Sequence, residues 1–283
     1  MLTLTIKPLS TYIGAEISGV DLSRDMDDQT FQAIQKAWHD HLVLFFRNQV
    51  LTPERQKAFC RRFGPLDIDR FVVPILPEHP EIIVVIKTEG EKINFGNIWH
   101  ADVTFYENPV KGSALYALEV PPLGGDTHFA NMYAAYETLS LGMKVLLEPL
   151  RSVHSAVGNY NLSTIEARFT ENRTLKVRQD REEEAQREQL HPVVRVHPET
   201  GRKSLFVNRA FTKRFENVTV EESRPLLNFL YAHQERPEFT CRFRWEKGSM
   251  ALWDNRCAHH YANNDYHGHR RVMHRITIQE NYP

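Results

Sequence analysis

The sequence predicts a mainly β protein, with a β-sandwich or jelly-roll core and flanking helices. Three observations carry that prediction. Apolar runs of strand length recur along the chain, from Leu42–Phe46 to Arg271–Ile278. Helix signals gather in the first part and in segments between strands. Apolar and polar residues alternate with period two through the C-terminal part. With 283 residues, 41% of them hydrophobic and 11% aromatic, the chain can fill a sizeable core.

The elements follow in order. Phe31, Ile34, Trp38 and Leu42 recur near helical spacing after Asp27-Asp28, which are start signals. Leu42–Phe46 is continuously apolar and reads as a buried strand. Thr52-Pro53-Glu54 opens a second helix, with an N-cap and Pro at the first helical position, and Gly64 closes it. Ile82–Ile86 is another apolar strand, and the polar Thr88–Asn97 stretch, with two glycines, is a loop. Trp99–Phe105 is predicted as a strand, which would put His100 and Asp102 on one face. Gly124-Gly125-Asp126 is a turn, after which Thr127–Phe129 resumes a strand and Asn131–Leu150 is helical.

Ser163–Leu190 is charge-dense and reads as a solvated helix or a mobile excursion, an insert centred on residues 160–190. Thr219-Val220-Glu221-Glu222 is a capping box opening a helix to about His233. Phe239, Cys241, Phe243 and Trp245 alternate with Thr240, Arg242 and Arg244 as a half-buried strand. Glu246–Ser249 turns the chain into Met250–Trp253, and Arg271–Ile278 is the last strand. There is no internal repeat and no low-complexity linker, so residues 1–283 are expected to form one domain.

Composition excludes several classes. A net charge of −1 gives no argument for nucleic acid or a membrane surface as partner. No apolar run approaches the ~20 residues that span a bilayer. Met1–Pro8 lacks the basic-then-apolar pattern of a signal peptide. Cys60, Cys241 and Cys257 are odd in number and widely spaced, as expected of reduced packing thiols in a cytoplasmic protein.

The chemistry gathers at two distant places. His100-Ala101-Asp102 lies near the middle, and Trp253-Asp254-Asn255-Arg256-Cys257-Ala258-His259-His260 lies far downstream, with Arg271 eleven residues beyond His260 (271 − 260) and Arg275 four further on. Non-haem Fe(II) needs ligands that leave adjacent positions open, and two neutral imidazoles with one carboxylate do so. A buried guanidinium beside such a centre can grip a dicarboxylate through its far end. On a strand Arg271 and Arg275 share a face, which suits a pocket for anions. Each signal alone has a plainer explanation: His-x-Asp is often a hydrogen-bonded pair, strand-end arginines are commonly surface groups, and single aromatics usually pack the core. On spacing, either His259 or His260 can complete the set, because they alternate faces.

These residues resemble the taurine dioxygenase and phenoxyalkanoate dioxygenase family of Fe(II)/2-oxoglutarate enzymes. The resemblance runs nearly end to end. It includes Tyr12–Asp21, Arg62-Phe63-Gly64, Trp99–Phe105, Gly124–Thr127, His191–Val194, Leu205–Asn208, Trp253–Arg256 and Arg270–Arg275. It implies a double-stranded β-helix in which His100, Asp102 and His260 hold Fe(II). It implies that Arg271, assisted by Thr127, binds 2-oxoglutarate, that O2 is the co-reactant, and that Arg275 meets an anionic group of a small-molecule substrate. Asp102 implies hydroxylation, since related halogenases carry a small residue there. Phe105, Tyr160 and Phe211 match hydrophobic pocket positions, the charged insert resembles a mobile segment of the family, and a homo-oligomer, dimer or tetramer, is implied.

The expected reaction releases succinate and CO2 while hydroxylating a sulfonate such as taurine, an alkyl sulfate or an aryloxyalkanoate. One departure bears on the substrate. Where taurine dioxygenases have a sulfonate-binding histidine, this chain has Asp69, and an amine-contacting asparagine becomes Gly96. A carboxylate facing a sulfonate is repulsive. Either Arg70 takes that role or the substrate differs, for instance an amino-acid-like compound whose amine Asp69 holds. A metal-retaining barrel without turnover is the rival from another class.

Overall fold

The computed structural model describes residues 4–157 and 178–280. Strands β1 (Thr5–Pro8) and β2 (Ala15–Ser18) pair antiparallel at the start of the chain. Helix α1 (Asp28–His41) follows, with Asp27 extended and accepting from the Thr30 N–H, one of the donors that a helix start leaves open. Its buried stripe is Phe31, Ile34, Ala37 and Trp38. Leu42 ends it, and β3 (Val43–Phe46) is buried along its whole length. Thr52 caps α2 (Pro53–Arg61), and β4 (Ile82–Lys87), β5 (Gly112–Glu119) and β6 (Thr127–Asn131) come next.

Two short helices, α3 (Met132–Glu137) and α4 (Leu141–Leu147), lead to β7 (Arg151–His154). The charged stretch lies partly outside the described residues. Its end forms a 3-10 turn at Gln179–Arg181 and α5 (Glu182–Gln186), then joins β8 (Gln189–Pro192). The chain continues through β9 (Val194–Val196), β10 (Lys203–Leu205) and β11 (Thr212–Phe215) into α6 (Val220–Gln234). Both hydrogen bonds of the expected capping box start this helix. The last strands are β12 (Thr240–Phe243), β13 (Met250–Asp254), β14 (Ala258–Ala262) and β15 (Arg271–Ile278).

The large sheet has the order β1-β2-β3-β13-β5-β15-β4, and a smaller one the order β12-β6-β14. They face each other, as a jelly roll requires. Phe45 of β3 stacks on Phe243 of β12 with centroids 4.0 Å apart, and Phe129 of β6 packs on both Phe45 and Trp253. Helices α1 and α2 cover the opposite face of the large sheet through Trp38, Phe59, Leu44, Phe46, Leu252 and Ile276. Each fully buried side chain of this size contributes roughly 1.5–3 kcal/mol. Strand β15 is therefore buried on both faces, and its alternation separates two covered faces rather than core from solvent.

Trp99–Phe105 is not a strand. His100 makes an isolated bridge with His260, and residues 102–105 form a turn in which Val103 has φ 42°. A β-branched residue is strained there. Bonds from remote residues hold it: the Asp102 N–H donates to Asn255, and Thr104 meets Asn208 and His154. All three cysteines are free and buried, as packing thiols should be. Among the described residues no helix is long and apolar enough to cross a membrane.

Candidate active site

His260 sits on β14, and His100 lies on the segment beside it. Their backbones exchange two hydrogen bonds, of 3.1 and 2.7 Å. The turn then brings Asp102 back toward both rings. Asp102 Oδ1 lies 3.8 Å from His100 Nε2 and 3.9 Å from His260 Nε2. These separations are less than twice a metal–ligand bond of ~2.1 Å, so one cation can reach all three atoms. His259 is buried outside this group.

Protonation states favour a divalent cation. His100 Nδ1 donates to the Ile98 carbonyl at 2.6 Å, which fixes the tautomer and leaves Nε2 with its lone pair toward Asp102. Burial pushes His100 and His260 below the ordinary imidazole value, so both are neutral at pH 7. Burial opposes the charge of Asp102, but the Arg275 guanidinium, with the Ser113 hydroxyl, helps to outweigh it, and its carboxyl is held at about 2. Metal binding needs this set: two neutral rings and one carboxylate.

Arg271 stands at the other end of the pocket. It is buried, and its Nε and Nη2 have no hydrogen-bond partner among the described residues. Burial also pulls its pKa down, and Tyr266 and Asp126 offset this only in part. Beside it the Thr127 oxygen accepts from Trp245 Nε1 at 2.9 Å. Indole can only donate, so the Thr127 hydroxyl proton is free for an acceptor. Arg271, Thr127, His100, His260 and Arg275 line one pocket with about 430 Å³ of atom-free space, part of it open to solvent.

Arg275 bridges two carboxylates. Its Nη1 is 3.2 Å from Asp102 Oδ1, and its Nη2 is 3.3 Å from Asp69 Oδ2. The other oxygen of Asp69 accepts from the Phe71 and Val72 N–H groups, each at 2.8 Å. Arg70, by contrast, is half exposed and paired with Glu184 of α5. Phe105 and Phe211 lie 4.9 Å apart, and Phe211 meets the edge of His100. Tyr160 lies outside the described residues.

Sequence reasoning missed several neighbours. Phe71 packs on Phe105 at 5.4 Å, Phe95 lies under the Arg275 guanidinium, and Ser113 and Asn255 bond to Asp102. Asn255 stands in a conspicuous motif, but nothing local ties it to a residue 153 positions away. A second group of potential metal donors, His197, Asp254 and Cys257, is closed. His197 Nδ1 accepts two backbone N–H bonds, so its Nε2 carries the proton given to Asp254. Both oxygens of Asp254 are further bound by Arg256.

Comparison with known proteins identifies the family. The pattern of the family described as "Taurine catabolism dioxygenase TauD, TfdA family" matches residues 5–277. An alkylsulfatase of Acinetobacter baylyi is 39% identical over 97% of this chain and 84% of its own. An alpha-ketoglutarate-dependent sulfate ester dioxygenase of Pseudomonas putida is 36% identical over 100% of this chain and 91% of its own. Among solved structures, a taurine dioxygenase from Burkholderia xenovorans superposes with a TM-score of 0.81 at 37% identity, covering 99% of this chain and 92% of that one.

Proposed function

The chain belongs to the TauD/TfdA family and is a 2-oxoglutarate-dependent dioxygenase, and from that premise we propose that it uses Fe(II) to hydroxylate a small organic anion. Alkyl sulfate esters stand first among the candidates, because the two curated relatives above are named for that chemistry. Sulfonates and aryloxyalkanoates are the other members of the class. The observation that carries the reading is Arg271, a buried guanidinium with two donor atoms unpartnered among the described residues, in the pocket that His100 and His260 also line.

Each residue has a part. His100, Asp102 and His260 would hold the metal, which would supply O2 activation for the oxidative decarboxylation of 2-oxoglutarate to succinate and CO2. One oxygen atom enters succinate and the other a substrate C–H bond. On the carbon bearing a sulfate ester the new hydroxyl gives an unstable product, which collapses to an aldehyde and hydrogen sulfate. Arg271 and the Thr127 hydroxyl bind the distal carboxylate of 2-oxoglutarate and orient it. Phe95, Leu115 and Trp253 give the pocket an apolar wall for the substrate body, and Phe211, with Phe105 against it, packs on His100. Arg275 meets the anionic head group.

The Asp69–Arg275 pair favours a second reading. Arg275 lines the pocket with the Asp69 carboxylate paired to it, so both signs of charge stand near the substrate, which suits an amino-acid-like zwitterion. Succinate release measured with Fe(II), 2-oxoglutarate and a panel of alkyl sulfates, sulfonates, aryloxyalkanoates and amino acids separates the two. Stimulation by an alkyl sulfate, with sulfate and succinate formed one to one, is expected. If no anion in the panel stimulates turnover, the substrate class is wrong. Arg271→Ala should raise the KM for 2-oxoglutarate about 10- to 100-fold, and an unchanged KM would remove its assigned role.

A further inference from the structure

We infer that Asn255 and Ser113 close a hydrogen-bonded ring around Asp102 and thereby limit it to coordinating through one oxygen, Oδ1. The inference rests on the metal-site reading above. The ring can be followed atom by atom. Asn255 Oδ1 accepts from the Asp102 N–H at 3.1 Å and from Trp253 Nε1 at 3.0 Å. Both partners can only donate, so the orientation of the Asn255 amide is dictated. Its Nδ2 then points to Ser113 Oγ at 3.0 Å, and the Ser113 hydroxyl must spend its proton on Asp102 Oδ2 at 2.7 Å. The ring thus holds Asp102 at its backbone and at its far oxygen, leaving Oδ1 to Arg275 and both imidazoles.

The same side chain reaches a second ligand. Trp253, fixed by its bond to Asn255, packs its ring on His260 with centroids 4.7 Å apart. Asn255 and Ser113 are buried and touch neither the pocket's cosubstrate end nor its substrate end. They are positioning residues. Outer partners of this kind set ligand orientation, and their loss typically costs 10- to 100-fold in metal affinity.

Mn(II) titration followed by the signal of the free ion tests the ring in the full-length protein. Ser113→Ala and Asn255→Ala should each weaken Mn(II) binding about 10- to 100-fold. The double variant should lose little more than the worse single one, because the bonds form one unit. Freeing Oδ2 should also change the visible spectrum of the Co(II)-loaded protein, which a purely structural role would not do. Melting of the metal-free variants shows whether each has folded, and either single variant suffices if the other has not. Binding by Ser113→Ala within twofold of wild type, or simply additive losses, overturns the ring. Failure of the wild type itself to bind Mn(II) overturns the metal-site reading instead.

Discussion

Asp69 places a negative charge against Arg275, the pocket residue proposed to meet the substrate's anionic group. Its Oδ1 caps a turn through the Phe71 and Val72 N–H groups, while Oδ2 faces Arg275. Asn can keep the cap and remove the charge. A unit charge at ~4 Å is worth about 4 kcal/mol at an effective dielectric of ~20, so even a strongly screened remainder matters to a bound anion. Asp69→Asn should therefore lower the KM for an alkyl sulfate by roughly 10-fold and raise it for a substrate bearing an amine. Steady-state kinetics on one substrate of each kind checks this, and equal KM values for both enzymes would show that Asp69 only holds the turn.

At the scale of elements, local signals were reliable wherever local chemistry makes the decision. Asp27, Thr52 and Thr219 each start a helix because their side chains satisfy open N–H donors within three residues. The buried strands at 43–46 and 82–87 were equally legible as apolar runs. Trp99–Phe105 was not. Its residues favour a strand, and the bonds that bend it come from Asn255, Asn208 and His154, which no local pattern reveals. His260 was separated from His259 by strand register with the same dependence on distant partners. Glycines give a test at this scale. A Cβ on Gly112 of β5 would stand 2.8 Å from the Trp253 carbonyl oxygen and 2.8 Å from Trp38, whereas at Gly142 of α4 it would meet nothing within 4 Å. Gly112→Ala should cost about 1–3 kcal/mol and Gly142→Ala should gain up to ~1 kcal/mol. Denaturant melts of the two variants read both signs, and a stable Gly112→Ala would contradict the packing.

For the molecule as a whole, buried histidines set the response to acid. Burial pushes His191 and His274 down to about 4 and His259 to about 3, and lowers His154, His100 and His260 as well. These rings bind protons more tightly in the unfolded chain, whose ordinary value is 6.5. Stability is therefore full above about 6.5 and falls as pH drops toward 4. Asp102, depressed to about 2 from 3.8, adds a second loss only below the ordinary carboxylate range. The urea midpoint of the metal-free protein should be clearly lower at about pH 5 than at about pH 7.5. A midpoint that stays constant across that interval would mean the rings are not buried neutral.

The strand order also speaks to how the molecule is made. β13 and β15 follow β3, β4 and β5 in the chain, yet they occupy interior places, between β3 and β5 and between β5 and β4. During synthesis the earlier strands wait with open edges, which is the condition under which nascent chains need chaperones. His260 and Arg271 lie on β14 and β15, so the proposed metal ligand and the proposed 2-oxoglutarate anchor are added together with the strands that complete the sheet. A chain cut before β13 would have a gap in the middle of its large sheet and would lack both His260 and Arg271.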